Sequence, residues 1–158
     1  MPSRRRSRER ALQMIFQWEQ SQASVDQVIG TYWGSLANED GKPPAVHDPL
    51  ADRLLSGVVA RSAEIDGMIK QHAENWRLER MAAVDRNVLR MAIYELIEGS
   101  AAPAVVMDEA IEIGRKYSGD EAGRFLNGVL DAISKAITSG KPPKSEQQPA
   151  STSKSTAL

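Results

Sequence analysis

The sequence predicts an all-α fold, and three observations lead there. Apolar residues recur at i, i+3 and i+4 through most of residues 11–138. No stretch sustains the two-residue alternation of a half-buried strand. The breaks between the apolar series, Asp48-Pro49, Gly99-Ser100 ahead of Pro103, and Ser118-Gly119, are helix stops and starts rather than hairpin turns.

Taken in order, the first series is Leu12, Ile15 and Phe16, with Trp18 nearby, and it begins directly after a run of arginines, so a basic arm of residues 1–10 should lead into helix one. Ser24 followed by Gln27 has the form of a capping box and opens a second helix carrying Val28, Ile29, Tyr32 and Leu36. Asn38 to Pro44 reads as a loop. Asp48-Pro49 supplies an N-cap and a first helical residue, because proline loses nothing where its N–H would have no intrahelical partner. A long third helix should follow, its set Leu50, Leu54, Leu55, Val58, Val59, Ile65, Met68 and Ile69 holding a helical period for about five turns. After a weak break within His72 to Glu79, Met81, Val84, Val88, Leu89, Ala92, Ile93 and Leu96 mark a fourth helix that Gly99 ends.

Pro103 starts a fifth helix with Val106, Ala110 and Ile113. Ser118 and Glu121 form a second capping-box pattern ahead of the sixth, whose stripe is Phe125, Leu126, Val129, Leu130, Ile133 and Ile137. Within it, Asn127-Gly128 is locally unfavourable; close approach of a neighbouring helix at Gly128, with the Asn127 amide satisfying buried backbone groups, is the expected compensation. From residue 139 to 158 the Pro/Ser/Lys-rich composition predicts a disordered tail.

Composition limits the function. A chain of 158 residues with 41% hydrophobic content can bury one core. No apolar run approaches the roughly 18 residues of a membrane span, nor does an apolar stretch follow the basic start as in a signal peptide, so a cytoplasmic protein without a membrane partner is expected. The absence of cysteine excludes disulfides, thiolate metal sites and cysteine nucleophiles, and two histidines argue against a metal centre; no cofactor is expected. There is no phosphate-binding glycine loop, nucleophile elbow or zinc-protease motif, and Glu109 with Glu112, at i, i+3, reads as a solvated helix face.

Charge is uneven beneath a net −1: residues 1–10 carry +4, residues 139–158 carry +2, and the remainder therefore −7. Five arginines in the first ten residues suit RNA or another polyanion, since guanidinium pairs bidentately with phosphate and stacks on bases; a solubilising terminus is an equally good reading of the arm alone. A second basic and aromatic cluster spans Arg115 to Phe125, where helix five hands over to helix six. On periodicity Phe125 belongs to the core stripe, and Glu121 has a sufficient role as cap partner of Ser118.

Four segments in collinear order, Arg4 to Gln13, Val84 to Leu96, Asp108-Glu109-Ala110 and Phe125 to Asp131, together resemble the NusB family of bacterial transcription antitermination factors, over about residues 4–137. The resemblance implies an all-α, NusB-like fold of six or seven helices in two three-helix bundles, an RNA-binding domain of residues 4–138 with a flexible basic N-terminal arm. It implies no catalysis, but binding of single-stranded boxA RNA in ribosomal RNA transcripts together with the ribosomal protein NusE, within the RNA polymerase antitermination complex. Carried over by position, Arg4, Arg5, Arg6 and Arg8 match the family's RNA-binding arm, and Lys116, Glu121, Arg124 and Phe125 the junction that helps receive the RNA. Asp85 falls on the half resembling the NusE-binding surface, where its acidity suits a basic partner, and Phe16 stands where many relatives have tyrosine. Met107-Asp108 likewise replaces the more usual Ile-Asn. The chain is too short to hold the methyltransferase domain to which such modules are sometimes fused. Two other readings remain: a homo-oligomeric helical interaction module, with a homodimer as the free form, and a small all-helical enzyme acting on an anionic substrate.

Overall fold

Caps and turn residues set the helix ends that the apolar periods only outline. The computed structural model describes residues 3–39, 48–73 and 78–139. Among them the order is α1 (Arg4–Ser21), α2 (Val25–Glu39), α3 (Pro49–Ala60), α4 (Ser62–His72), a 3-10 turn at Leu78–Arg80, α5 (Ala83–Glu98), α6 (Pro103–Ser118) and α7 (Asp120–Thr138), with no strand. No helix among the described residues is long and apolar enough to cross a membrane. Helices α1, α2 and α3 pack on one another as one bundle and α5, α6 and α7 as a second. Both α1 and α3 also lie against α5, while α4 reaches over to α5 and α7.

Several starts and stops follow the sequence. The Ser24 hydroxyl accepts from the Gln27 N–H at 3.2 Å and the Gln27 side chain accepts from the Ser24 N–H at 3.0 Å, a reciprocal cap for α2. Asp48 caps α3 through the Ala51 N–H at 3.2 Å, with Pro49 first in the helix. Gly99 closes α5 at φ 73°, in the left-handed region that costs glycine little. The loop expected from Asn38 begins inside α2, and its remainder, like the 74–77 part of the expected break and the tail beyond Ser139, lies outside the described residues.

Three expectations fail. The long third helix is two helices, broken at Arg61 (φ −113°, ψ 20°). The apolar period runs through the break because Val58 on one side and Ile65, Met68 and Ile69 on the other are all buried, the first part against α1 and α5 and the second against α5 and α7. The arginines do not precede helix one: they form its first two turns, behind Ser3, whose hydroxyl accepts from the Arg6 N–H. Ser118 caps nothing, because α6 runs through it and Gly119, at φ 94°, makes the bend into α7 without a side-chain cap.

The apolar core is continuous between the bundles. Ile15, Leu54, Leu55, Leu89, Ile93, Leu126 and Leu130 are among its fully buried members. Close helix approach occurs at Gly57, where a methyl group would overlap the Tyr94 ring, and at Gly114, where it would overlap Leu126. Gly128, by contrast, has open space around it, and Asn127 beside it is exposed, so the compensation expected at that pair is absent. Charged clamps join the halves. The Glu19 carboxylate of α1 accepts from Arg86 at 2.6 and 2.7 Å and also from Arg90, which forks onto Asp66 of α4 at 2.8 and 3.1 Å.

Candidate nucleic-acid interface

The first turns of α1 lie against α6, and this contact sorts the arginines. Arg4 and Arg6 are exposed, and neither has an ion pair among the described residues. Arg5 forks onto Glu109 of α6 through Nε at 2.7 Å and Nη2 at 3.1 Å while half of its side chain stays in solvent. Arg8 is buried, and its Nε and Nη2 hold both oxygens of buried Glu95 on α5 at 2.9 and 3.0 Å. Arg10 reaches Asp48 at 3.2 Å and lies 5.6 Å from the Trp33 ring centre. Arg8, carried over as a residue of the RNA-binding arm, is therefore not a mobile cation here but is enclosed with a matched carboxylate.

The junction comes to the same place. Glu9, buried on α1, accepts from the Lys116 ammonium at 2.6 Å and the Tyr117 hydroxyl at 2.8 Å, tying the end of α6 to the arginine turn. Burial pushes the Glu9 carboxyl up, but the hydrogen bonds from Lys116 and Tyr117 and the charges of Lys116 and Arg6 outweigh it and leave it below the ordinary glutamate value. The Arg5 hydrogen bond, opposed by burial, likewise lowers the Glu109 carboxyl, and the Glu9 hydrogen bond raises the Lys116 ammonium. Lys116 remains largely exposed and sits 5.3 Å from the centre of the Tyr117 ring, itself half open to solvent.

Arg5 and Arg124 share a groove of about 630 Å³ between α6 and α7, together with Arg115, Asn127, Asp108 and Glu112. Arg124 is exposed and has no ion pair among the described residues. Glu121 is exposed on the first turn of α7, and Phe125 is half-buried against the core, as its place on the stripe implies. The structure thus brings Arg5 and Arg124 into one groove and ties Lys116 to the start of α1 at Glu9. It places Phe125 mainly in packing and withdraws Arg8. Motif reading did not assign Arg115 and Asn127 to the site; the signal for Asn127 was its i+3 position from exposed Arg124, off the apolar stripe.

The two residues expected to meet a protein partner lie elsewhere on α1 and α5. Phe16 is 46% exposed and, with Leu12, Gln13, Val84, Asn87 and Tyr117, lines a mostly apolar hollow of about 300 Å³. Asp85 is half-buried next to Val84 in sequence, with one carboxylate oxygen enclosed and lacking a hydrogen-bond partner. No group of three or more potential metal ligands occurs among the described residues.

Known proteins share this fold and much of this sequence. The model of the NusB family matches residues 5–135. The transcription antitermination protein NusB of Solibacter usitatus is 47% identical over 133 residues, covering 84% of this chain and 89% of that relative. The protein of the same name from Anaeromyxobacter dehalogenans is 42% identical over 144 residues, covering 90% and 96%. Among solved structures, T. maritima NusB superposes with a TM-score of 0.69 at 35% identity, over 85% of this chain and 92% of that one. A chain in the crystal structure of the antitermination factors NusB and NusE in complex with dsRNA gives 0.69 at 29% identity, over 84% and 96%. With a family model spanning nearly the whole helical domain, and relatives this similar over most of their length, the chain belongs to the NusB family.

Proposed function

We propose that this chain, as a transcription antitermination factor, receives single-stranded boxA RNA of ribosomal RNA transcripts where the start of α1 meets α6 and α7, with the ribosomal protein NusE seated on the neighbouring face of Phe16 and Asp85. Antitermination is the function named for its relatives, and it works by binding rather than by catalysis. One observation carries the placement of the RNA: Arg4, Arg6 and Arg124 are exposed and form no ion pair among the described residues, whereas Arg5 and Lys116 are already paired. The unpaired guanidiniums meet phosphate first, each offering a planar fork of donors. Arg5 and Lys116 join by exchanging a carboxylate for a phosphate oxygen. Phosphate contacts set register, and sequence preference comes from stacking on exposed aromatic surface such as Tyr117 and from base-edge hydrogen bonds.

The NusE face rests on different physics. Phe16 offers apolar area to bury, Asp85 an acidic group, and the body of residues 11–138 its −7 charge toward a basic ribosomal protein. Seated there, NusE extends the RNA surface and links the complex to RNA polymerase, in the cytoplasm where transcripts emerge. The NusB and NusE complex matched above was solved with double-stranded RNA, so the form of RNA belongs in the test.

The deciding experiment compares boxA RNA, a scrambled strand of equal length and a duplex at fixed salt, with and without NusE. Tighter binding of single-stranded boxA that strengthens with NusE is expected. Equal weak binding to all three, unchanged by NusE, overturns the assignment. Light scattering of the protein alone and with NusE separates the heterodimer from a homodimeric module.

A further inference from the structure

Gly123 stands in the first turns of α7, and its position is filled from outside the helix. A Cβ there would lie 2.8 Å from the Nε of Arg115 and 3.0 Å from its Cγ. The Arg115 side chain therefore runs across the α7 backbone at Gly123, and any larger residue there would require that side chain to move. By helix propensity alone glycine is unfavourable here relative to alanine. Among the described residues Arg115 has one ion pair, a 3.4 Å contact with Glu112 in which both side chains are half exposed, and such pairs contribute little. What the seat does achieve is placement: the guanidinium is held in the groove that Arg5, Arg124 and Asn127 also line.

We propose that Arg115 is a further RNA-contacting residue that grips a backbone phosphate, and that Gly123 is its positioning residue. The inference rests on the RNA-binding reading above and extends it from the arginine turn of α1 along the α6–α7 groove. Three guanidiniums from three helices then face one channel, so consecutive phosphates of a single strand are held from both walls. Asp108 and Glu112 face the same channel and repel phosphate, which makes the contact depend on a correctly aimed fork rather than on a broad positive field. The long Glu112 contact is the one a phosphate oxygen displaces.

The test uses the full chain with Arg115→Ala, Arg115→Lys, Gly123→Ala and the double variant Arg115→Ala with Gly123→Ala. Binding of boxA RNA is followed by fluorescence anisotropy over a salt series, with thermal unfolding of each protein recorded alongside. Arg115→Ala is expected to weaken binding several-fold and to flatten the slope of log affinity against log salt by about 0.7. Arg115→Lys should recover part of the affinity, and Gly123→Ala should weaken binding but add nothing once Arg115 is alanine. An Arg115→Ala protein with wild-type slope overturns the contact, as does one that loses NusE binding while keeping its RNA affinity. A Gly123→Ala effect that adds fully to that of Arg115→Ala overturns the positioning role. Should Gly123→Ala not fold, the alanine and lysine variants at position 115 still decide the contact. Absence of salt-dependent RNA binding by the wild-type protein overturns the underlying reading instead, and is seen before any variant is made.

Discussion

Arg8 and Glu95, 87 residues apart in sequence, face each other across the α1–α5 contact in a two-pronged pair with only 5% and 3% of their side chains in solvent. Their mutual attraction offsets a large desolvation cost only while both are present. Arg8→Ala strands the carboxylate and is expected to lower stability by about 3–5 kcal/mol, whereas replacing both residues by leucine loses far less. Urea unfolding of the two variants measures this; equal losses in both would show that the pair acts through packing alone.

Arg4 and Arg6 should behave in the opposite way. Both are exposed and neither has an ion pair among the described residues, so the double alanine variant should unfold at the wild-type midpoint. Its RNA affinity should fall and its salt slope flatten by about 1.4, at about 0.7 per lost phosphate contact on a single strand. A slope equal to that of the wild type removes these two residues from the interface.

Phe16 should separate the two proposed partners. With nearly half its surface in solvent, Phe16→Ala should change stability by no more than about 0.5 kcal/mol. Calorimetric titration should show weakened NusE binding, while RNA binding in the absence of NusE is retained. Unaltered NusE affinity would move that partner to another face.

Acid should loosen the joint between the bundles. Burial raises the Glu19 carboxyl, yet hydrogen bonds and charge from Arg86 and Arg90 bring it below the ordinary value; Glu9 and Glu109 are lowered too. A carboxyl depressed in the folded state favours folding fully above its unfolded pKa, about 4.3 for glutamate. That contribution is lost as pH falls below this value and through the lower folded one. The urea midpoint should hold from pH 7 to about 5.5 and drop steeply below about 4, with a shallower acid limb in Glu19→Gln. An identical limb in the variant would assign the loss to other carboxyls.

The helices that sequence reading located best are those whose boundaries are local. Ser24 with Gln27, Asp48 with Pro49, and Gly99 work through hydrogen bonds and dihedrals within a few residues, and each lies where it was placed. Arg8 and Glu9 were misread as part of a free basic arm because their burial depends on Glu95, Lys116 and Tyr117, far away in the chain. A hint was present: the core face of α1, traced back from Ala11 and Ile15 by one and two turns, runs through Arg8. The break at Arg61 was invisible for a related reason, since both sides of it are apolar toward different neighbours. The groove was legible only in part. Arg124 announces itself by charge, but the role of Gly123 depends on which side chain of α6 lies over it.

Helix α1 belongs to both bundles: its buried residues Ala11, Met14 and Ile15 join the continuous core, and Arg8, Glu9 and Glu19 reach to α5 and α6. The chain is therefore unsuited to division. A fragment ending after α4 would leave Arg8 and Glu19 without counterions, and the complementary fragment would expose Glu95 and the apolar side of α5. The same helix that carries the exposed arginines closes the seam of the molecule, so with RNA placed as proposed above a pull on the strand would be transmitted directly into the middle of the protein.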